Sequence, residues 1–300
     1  MNDSTITNAI TIDLEDWAQA VLDPDLPVSD RFRVGADRIL KLLDARGVRA
    51  TFFVLGRAAE RAPDLVRAIH AAGHEVQSHG YGHRLIDALT PAALRADLIR
   101  SRKVLEDIMG ERVRGYRAPA FSVTRRTPWA LDEIVEAGFS YDSSVFPVAM
   151  RRYGVHHAPH YPHRLRTPRG NDITEVPVAS FHGLGRRFPV AGGGYFRLLP
   201  YRVIRFGLGQ LNRAGHPATI YAHPHEFDPE GIAASPHRIP LRRRVHQGLG
   251  RRGFEGKIDR LLGDLRFAPV GEVLAGLTDL PVVDQEPAQM HLPGSLPAGA

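Results

Sequence analysis

Strand-like and helix-like segments alternate through the first half of the chain, and that order confines it to a parallel sheet covered by helices. Ala9–Ile12, Val48–Leu55, His74–Ser78, Val113–Arg117 and Phe139–Asp142 read as strands. Between them, Ala36–Arg46 carries Ile39, Leu42 and Leu43 at helical spacing and stops at Gly47, and Pro63–Ala72 stops at Gly73. Thr90-Pro91 is a helix start, with Thr as N-cap and Pro in the first turn. The stripe Leu94, Leu98, Ser101, Leu105, Ile108 then runs to Gly110. Thr127-Pro128 repeats the start signal for a helix ending at Gly138. No Gly-x-Gly-x-x-Gly or phosphate-binding loop follows any of these strands, which disfavours a nucleotide-binding sheet. The candidate polar residues fall instead at strand C-termini: Asp13 to Asp16, His79, Arg117, Asp142 and His223. That placement predicts an α/β fold of the (β/α) barrel type with fewer than eight strands.

The second half is less regular. Met150–Asn171 is rich in His, Arg and Pro and reads as a long surface loop. Asp172–Val178 reads as a strand, Gly192–Gly194 as a turn open to close backbone approach, and Pro200–Ala214 as a helix ended by Gly215. Pro217–Ala222 is a late strand that delivers His223, and Lys257–Leu262 is helical. The expected organisation is one domain over residues 1–280, with a motif-bearing core at 10–229 and an extension at 230–280. The Pro/Ala/Gly-rich tail 281–300 is expected to be disordered.

Residues Met1 to Asn8 are polar, with neither an apolar signal core nor a basic leader. No run approaches the roughly 18 apolar residues of a membrane span. A soluble, cytoplasmic protein is the expectation. The formal charge is +6, carried by arginine runs such as Arg242-Arg243-Arg244 and Arg251-Arg252. These form either a solvated basic surface or a site for an anionic partner, such as a membrane surface or a polyprenyl-phosphate-linked sugar. No helix-turn-helix, zinc-finger or RNP pattern accompanies them, so nucleic acid is not an expected partner.

The chain has no cysteine, so any metal must be held by histidine and carboxylate. Ser78-His-Gly-Tyr-Gly-His83 puts His79 and His83 four residues apart on a glycine-loosened loop at a strand end. Spacing alone does not single this pair out, because His70/His74 and His156/His160 repeat it. His70 and His74 are separated by the end of a helix, however, and His156/His160 lie in a loop without a nearby acid. The turn Asp13-Leu14-Glu15-Asp16-Trp17 follows another strand and supplies carboxylates. Two imidazoles and one carboxylate suit a divalent ion, zinc first, with a coordination position left for water. Strand alternation puts Glu15 on the same face as Asp13, which favours Glu15 as the carboxylate. Asp16 stays a candidate that the turn would have to bend inward. Trp17 reads as a packing residue, with a sugar-stacking platform as the alternative.

Six stretches stand in a telling order: Thr11-Ile-Asp-Leu-Glu-Asp-Trp17, Thr51-Phe-Phe53, Ser78 to His83, Tyr116-Arg-Ala-Pro119, Tyr141-Asp-Ser-Ser-Val145 and Ile220-Tyr-Ala-His223. Over roughly Ile10 to Pro229 the chain resembles the NodB-homology polysaccharide deacetylases, carbohydrate esterase family 4. It looks most like the branch associated with exosortase and exopolysaccharide genes. The resemblance implies a distorted (β/α) barrel, metal histidines at His79 and His83, a catalytic base at Asp13 and its orienting arginine at Arg117. It further implies a general acid at His223, with His225 as the alternative, and Asp142 as the aspartate that tunes it. A backbone N–H near Ala120 would meet the oxyanion. Two departures stand out. The adjacent aspartates common in the family are replaced by Asp13-Leu14-Glu15-Asp16. Val145 stands near the place of the family's tryptophan, leaving Phe146 to line the acetyl pocket.

The implied activity is metal-dependent removal of acetyl from an N-acetylated oligo- or polysaccharide, in exopolysaccharide biosynthesis and on a substrate that can be lipid-linked. Two rivals are a deformylase or amidase acting on another C–N bond, and a non-catalytic carbohydrate-binding barrel.

Overall fold

The computed structural model describes residues 6–148, 154–155 and 158–284. The chain opens with β1 (Thr7–Leu14), then α1 (Arg31–Ala45), β2 (Thr51–Val54), α2 (Gly56–Arg61), α3 (Pro63–Ala71) and β3 (Glu75–Ser78). It continues through α4 (Pro91–Met109), β4 (Gly115–Tyr116), α5 (Ala130–Glu136), β5 (Tyr141–Asp142), β6 (His163–Arg166) and β7 (Asp172–Glu175). The hairpin β8 (Ser180–Gly183) and β9 (Arg186–Pro189) precedes α6 (Gly193–Leu198), α7 (Tyr201–Arg213) and β10 (Thr219–Ala222). Last come α8 (Leu241–Gly248), α9 (Phe254–Asp264), β11 (Arg266–Ala268), α10 (Val270–Ala275) and β12 (Val282–Asp284).

Seven strands lie side by side in the order β10-β1-β2-β3-β4-β5-β7, every neighbouring pair parallel. The ring closes through single bonds rather than a full ladder. The chain leaving β7 swings onto the free edge of β10, where Ala179 N–H donates to Thr219 O at 2.8 Å and Tyr221 N–H to Ala191 O at 2.9 Å. Gly192 makes this approach possible, since a Cβ there would lie 2.0 Å from Tyr221 O. The result is a distorted (β/α) barrel with fewer than eight strands.

β1 is buried along all but its first residue, as expected of a central parallel strand with both faces covered. It therefore runs past Ile12 to include Asp13, whose charge sits inside the barrel. Thr90 caps α4 as its sequence predicts, its hydroxyl accepting from Ala93 N–H at 3.2 Å. Leu94, Leu98, Ser101 and Leu105 form the buried stripe of that helix. Thr127 does not cap a helix in the same way. Its hydroxyl closes a turn by accepting from Thr124 N–H, and α5 starts three residues later.

Two expectations are corrected. The stretch expected as a loop over Met150–Asn171 contains β6, which pairs antiparallel with β7; residues 149–153 and 156–157 lie outside the described residues. Of the tail expected to be disordered from Pro281, Val282–Asp284 pairs in parallel with β6, while residues 285–300 lie outside the described residues. The extension after residue 230 is woven into the sheet, because β11 pairs with the start of β1.

α1 braces the turn that follows β10. A Cβ on Gly35 would fall 1.8 Å from Pro224 O, so the helix can approach this turn only with glycine at that place. Gly35→Ala is expected to cost about 1–3 kcal/mol of stability through overpacking. Denaturant unfolding of the variant against the parent measures it.

Candidate active site

Because the barrel strands are parallel, their C-termini meet at one end. β1 brings Asp13 and the following Glu15, β3 leads into His79, β4 into Arg117, and β10 into His223.

Glu15, His79 and His83 converge. Glu15 Oε2 lies 2.9 Å from His83 Nε2 and 3.3 Å from His79 Nε2, with all three side chains buried. His79 Nδ1–H donates to Arg117 O at 2.8 Å, which leaves Nε2 as the lone-pair donor facing Glu15. His83 reaches the cluster from a left-handed backbone, φ 56°. Such a conformation is uncommon outside glycine and costs of order 1–3 kcal/mol. The loop between the two histidines is pinned by Asp97 of α4, which accepts from Tyr81 N–H at 2.7 Å and Gly82 N–H at 3.1 Å. Burial opposes the charge on Glu15, but the nearby His83, His79 and His223 outweigh it and hold the carboxyl well below its ordinary range. Glu15 Oε2 accepts no well-aimed hydrogen bond although it is buried. One carboxylate and two imidazoles turned toward a common point, with that oxygen left over, fit a divalent cation. Asp16 does not join them. Its Oδ2 accepts from Ser29 N–H at 2.6 Å and its Oδ1 from Ala18 N–H at 3.4 Å, so it ties the turn to the local backbone instead.

Beside this cluster stands Asp13, held by Arg117. The arginine is fully buried, and its Nη1 donates to Asp13 Oδ1 at 2.8 Å and to Thr11 Oγ1 at 2.7 Å. Asp13 Oδ2 is left facing His223 Nε2 at 3.8 Å. His223 Nδ1 pairs with Glu226 Oε2 at 3.2 Å, and Glu226 is backed by the buried Arg197 at 3.3 Å. Burial works against a charged His223, but the hydrogen bond to Glu226 and the charges of Glu226, Glu15 and Asp13 prevail and raise its pKa to about 9. His225 stacks on His223 at 4.8 Å, and burial first, then the His223 charge, push it far the other way. Of the two histidines, His223 is therefore the one suited to carry a proton.

Asp142 does not do what the resemblance implies. It is not within ion-pair reach of His223; its Oδ1 accepts from Ser144 Oγ at 2.5 Å, and it shares a buried site with Glu175 of the neighbouring β7. Glu226, three residues after His223, takes the tuning position instead. The signal for it is local: a carboxylate at this spacing also accepts from His223 N–H at 3.1 Å, closing a capping box. Asp97 has no such signal, because it acts across the fold.

The cleft over these groups has a volume of about 420 Å³. Phe121, Tyr221, Val21 and Leu198 supply apolar wall, and Ala120 lines it from a left-handed backbone, φ 50°. Phe146 lies behind Phe121, ring centroids 5.3 Å apart, so Phe121 rather than Phe146 meets the cleft. Trp17 is buried in a side cluster with Ala18 and Ile232 and borders a separate small cavity, which makes it a packing residue.

Residues 25–141 match the family described as polysaccharide deacetylase, and residues 143–275 match a domain of unknown function, DUF3473. Over 112 residues the chain is 33% identical to a peptidoglycan deacetylase of Helicobacter pylori, a stretch covering 37% of this chain and 37% of that protein. The chain spans about a third of the length of the curated relatives it matches. Among solved structures, a putative polysaccharide deacetylase from Mycobacterium smegmatis superimposes with a TM-score of 0.59 at 21% identity, over 94% of this chain and 96% of that one. PuuE allantoinase does so with a TM-score of 0.60 at 20% identity, over 91% and 90%. Both share the barrel fold. The site draws on every part of the chain: Asp13 and Glu15 precede the first matched stretch, His79, His83 and Arg117 lie within it, and His223 and Glu226 lie in the second.

Burial and the adjacent Asp142 raise the Glu175 carboxyl well above its ordinary range. The folded state thus holds this proton more tightly than the unfolded chain. Its contribution to stability is full below the ordinary carboxyl range and declines as pH rises through the raised pKa. Glu175→Gln, which keeps an acceptor for Val145 N–H, is expected to remove that decline. Unfolding at stepped pH from about 4 to 7 should show the parent's advantage over the variant shrinking as pH rises.

Proposed function

We propose that the protein is a metal-dependent hydrolase that removes acetyl from an N-acetylated sugar in polysaccharide or exopolysaccharide biosynthesis, a reading supported by the match of residues 25–141 to the polysaccharide deacetylase family. One observation carries this reading: a Glu15–His79–His83 cluster with an arginine-held aspartate and a glutamate-held histidine beside it.

Glu15, His79 and His83 would hold the cation. Zinc, favoured by the nitrogen and oxygen donor set, would lower the pKa of a bound water toward about 7 and polarise the amide carbonyl. Asp13 Oδ2 is free to accept the proton that water loses on attacking the carbonyl carbon, while Arg117 fixes the other oxygen. The Ala120 N–H, on the cleft wall, is the backbone donor for the developing oxyanion. As the C–N bond breaks, His223 Nε2 gives its proton to the departing nitrogen, and Glu226 on Nδ1 stabilises the imidazolium and fixes its aim. Acetate and a free amine result. The cytoplasmic location belongs to the proposal and is checked by cell fractionation.

Purified protein supplied with zinc is expected to release acetate from N-acetylglucosamine oligomers. Asp13→Asn and His223→Ala are each expected to lower kcat by about 10²–10⁴-fold while the protein stays folded. Turnover that survives both changes would place the chemistry elsewhere. A substrate panel scored for acetate, formate and ammonia separates deacetylase from deformylase and amidase.

Metal content divides the two acidic candidates. Glu15→Ala and His79→Ala are expected to abolish stoichiometric zinc, and Asp16→Ala to retain it, as read by elemental analysis of dialysed protein. Zinc lost only from Asp16→Ala would reverse the assignment.

A further inference from the structure

α8 differs from the longer helices that cover the barrel, because none of its residues is buried. Leu241, Val245 and Leu249, four residues apart, fall on one face and are 75%, 57% and 56% exposed. Arg242, Arg243 and Arg244 lie between them, and their side chains have no ion-pair partner among the described residues. Elsewhere on the surface Arg31, Arg33, Arg46 and Arg95 each hold a carboxylate. The opposite face of α8, with Arg242, Arg243, His246 and Gln247, lines a groove of about 940 Å³. That groove shares His83, Ala120, His246 and Gln247 with the active-site cleft. Leu198, 53% exposed at the end of α6, stands at the same mouth.

Single exposed apolar residues need no explanation. An apolar row next to uncompensated arginines on one helix does, because water satisfies the charges but not the row. An anionic bilayer surface satisfies both: headgroup phosphates take the guanidinium groups, and the headgroup–acyl boundary takes the apolar side chains. At eight residues the helix can lie on such a surface but not cross it. We propose that α8 docks the protein on an anionic lipid membrane, with Leu241, Val245 and Leu249 inserted at the boundary and the active-site mouth held at the membrane surface. The docking follows from α8 alone. Its use rests on the deacetylase reading, since a sugar carried on a lipid phosphate would then reach the cleft along the arginine-lined groove.

The test is co-sedimentation of the full chain with vesicles of phosphatidylcholine alone or mixed with phosphatidylglycerol. Binding is expected only to the anionic vesicles, weakened by salt, and at least tenfold weaker in Leu241→Ser/Val245→Ser and in Arg244→Glu. Acetate release from soluble oligomers should be unchanged in Leu241→Ser/Val245→Ser, which also reports that the variant is folded. No binding to anionic vesicles overturns the proposal. So does binding that is indifferent to the serine changes, because that is adsorption by charge alone. Pyrophosphate binding that depends on Arg242 and Arg243 without any vesicle binding also overturns it, and assigns those arginines to a soluble anionic substrate. Vesicle binding that depends on α8, without acetate release, upholds docking and sinks the deacetylase reading instead.

Discussion

Arg117 is the charge around which the barrel end is organised. It is fully buried, and a guanidinium taken out of water is tolerable only when its donors are matched and its charge is met. Its partners come from distant strands: Asp13 and Thr11 from β1, and Ser143 O and Oγ from the chain just after β5. Thr11 Oγ1 passes the link to Ile220 O of β10, and Ser143 Oγ passes it to Val176 O just after β7. Phe53 of β2 covers the guanidinium face at 4.2 Å. One side chain thus ties together much of the ring, and the carboxylate that neutralises it is the one that faces His223. Its carbonyl also fixes the His79 ring. The geometry of Asp13 and that of His79 therefore share one support.

Much of this was legible before any coordinates. Glycine stops and Thr-Pro starts punctuate a βα alternation, and parallel strands must gather their C-terminal polar residues at one end. That reasoning brings Asp13, Glu15, His79, Arg117 and His223 together without knowledge of loops. It misleads at Asp142, which also sits at a strand end. Position along a strand says nothing about the neighbour across it, and there Glu175 of β7 engages Asp142 before His223 can. The choice between Glu15 and Asp16 was half legible. Alternation predicts the inward face for Glu15, but the competing demand on Asp16, the Ser29 and Ala18 N–H groups, depends on how the next loop folds back.

The elements missed share a physical cause. β11 and β12 are three residues each and owe their existence to a partner strand rather than to their own pattern. β6 lies in a stretch dense in His, Arg and Pro, where composition argues for a loop and only pairing with β7 argues otherwise. Asp97 is the clearest case at the site. It looks like a polar residue on the outer face of an amphipathic helix, yet it holds the loop that joins the two metal-type histidines.

Closure of the ring connects these observations. β10, at the edge of the parallel order, is held on its outer side by the bonds around Ala179, Ala191 and Gly192, so a few backbone contacts hold it in register there. Tyr221 receives this support. Its ring meets Phe121 at 5.0 Å and His223 at 5.5 Å, both edge to face. On the other side, Pro224 is braced by the bare backbone of Gly35 in α1. His223 is thus clamped between two glycine-permitted approaches, one from each end of the chain's long path around the barrel. Such a clamp fixes the place of the imidazole, and at a reacting centre a displacement of about 1 Å is enough to cost a hundredfold in rate. The same closure brings the two matched stretches to one site. The first supplies His79, His83 and Arg117, the second supplies His223, and the closed ring sets them within a few ångströms of Asp13 and Glu15.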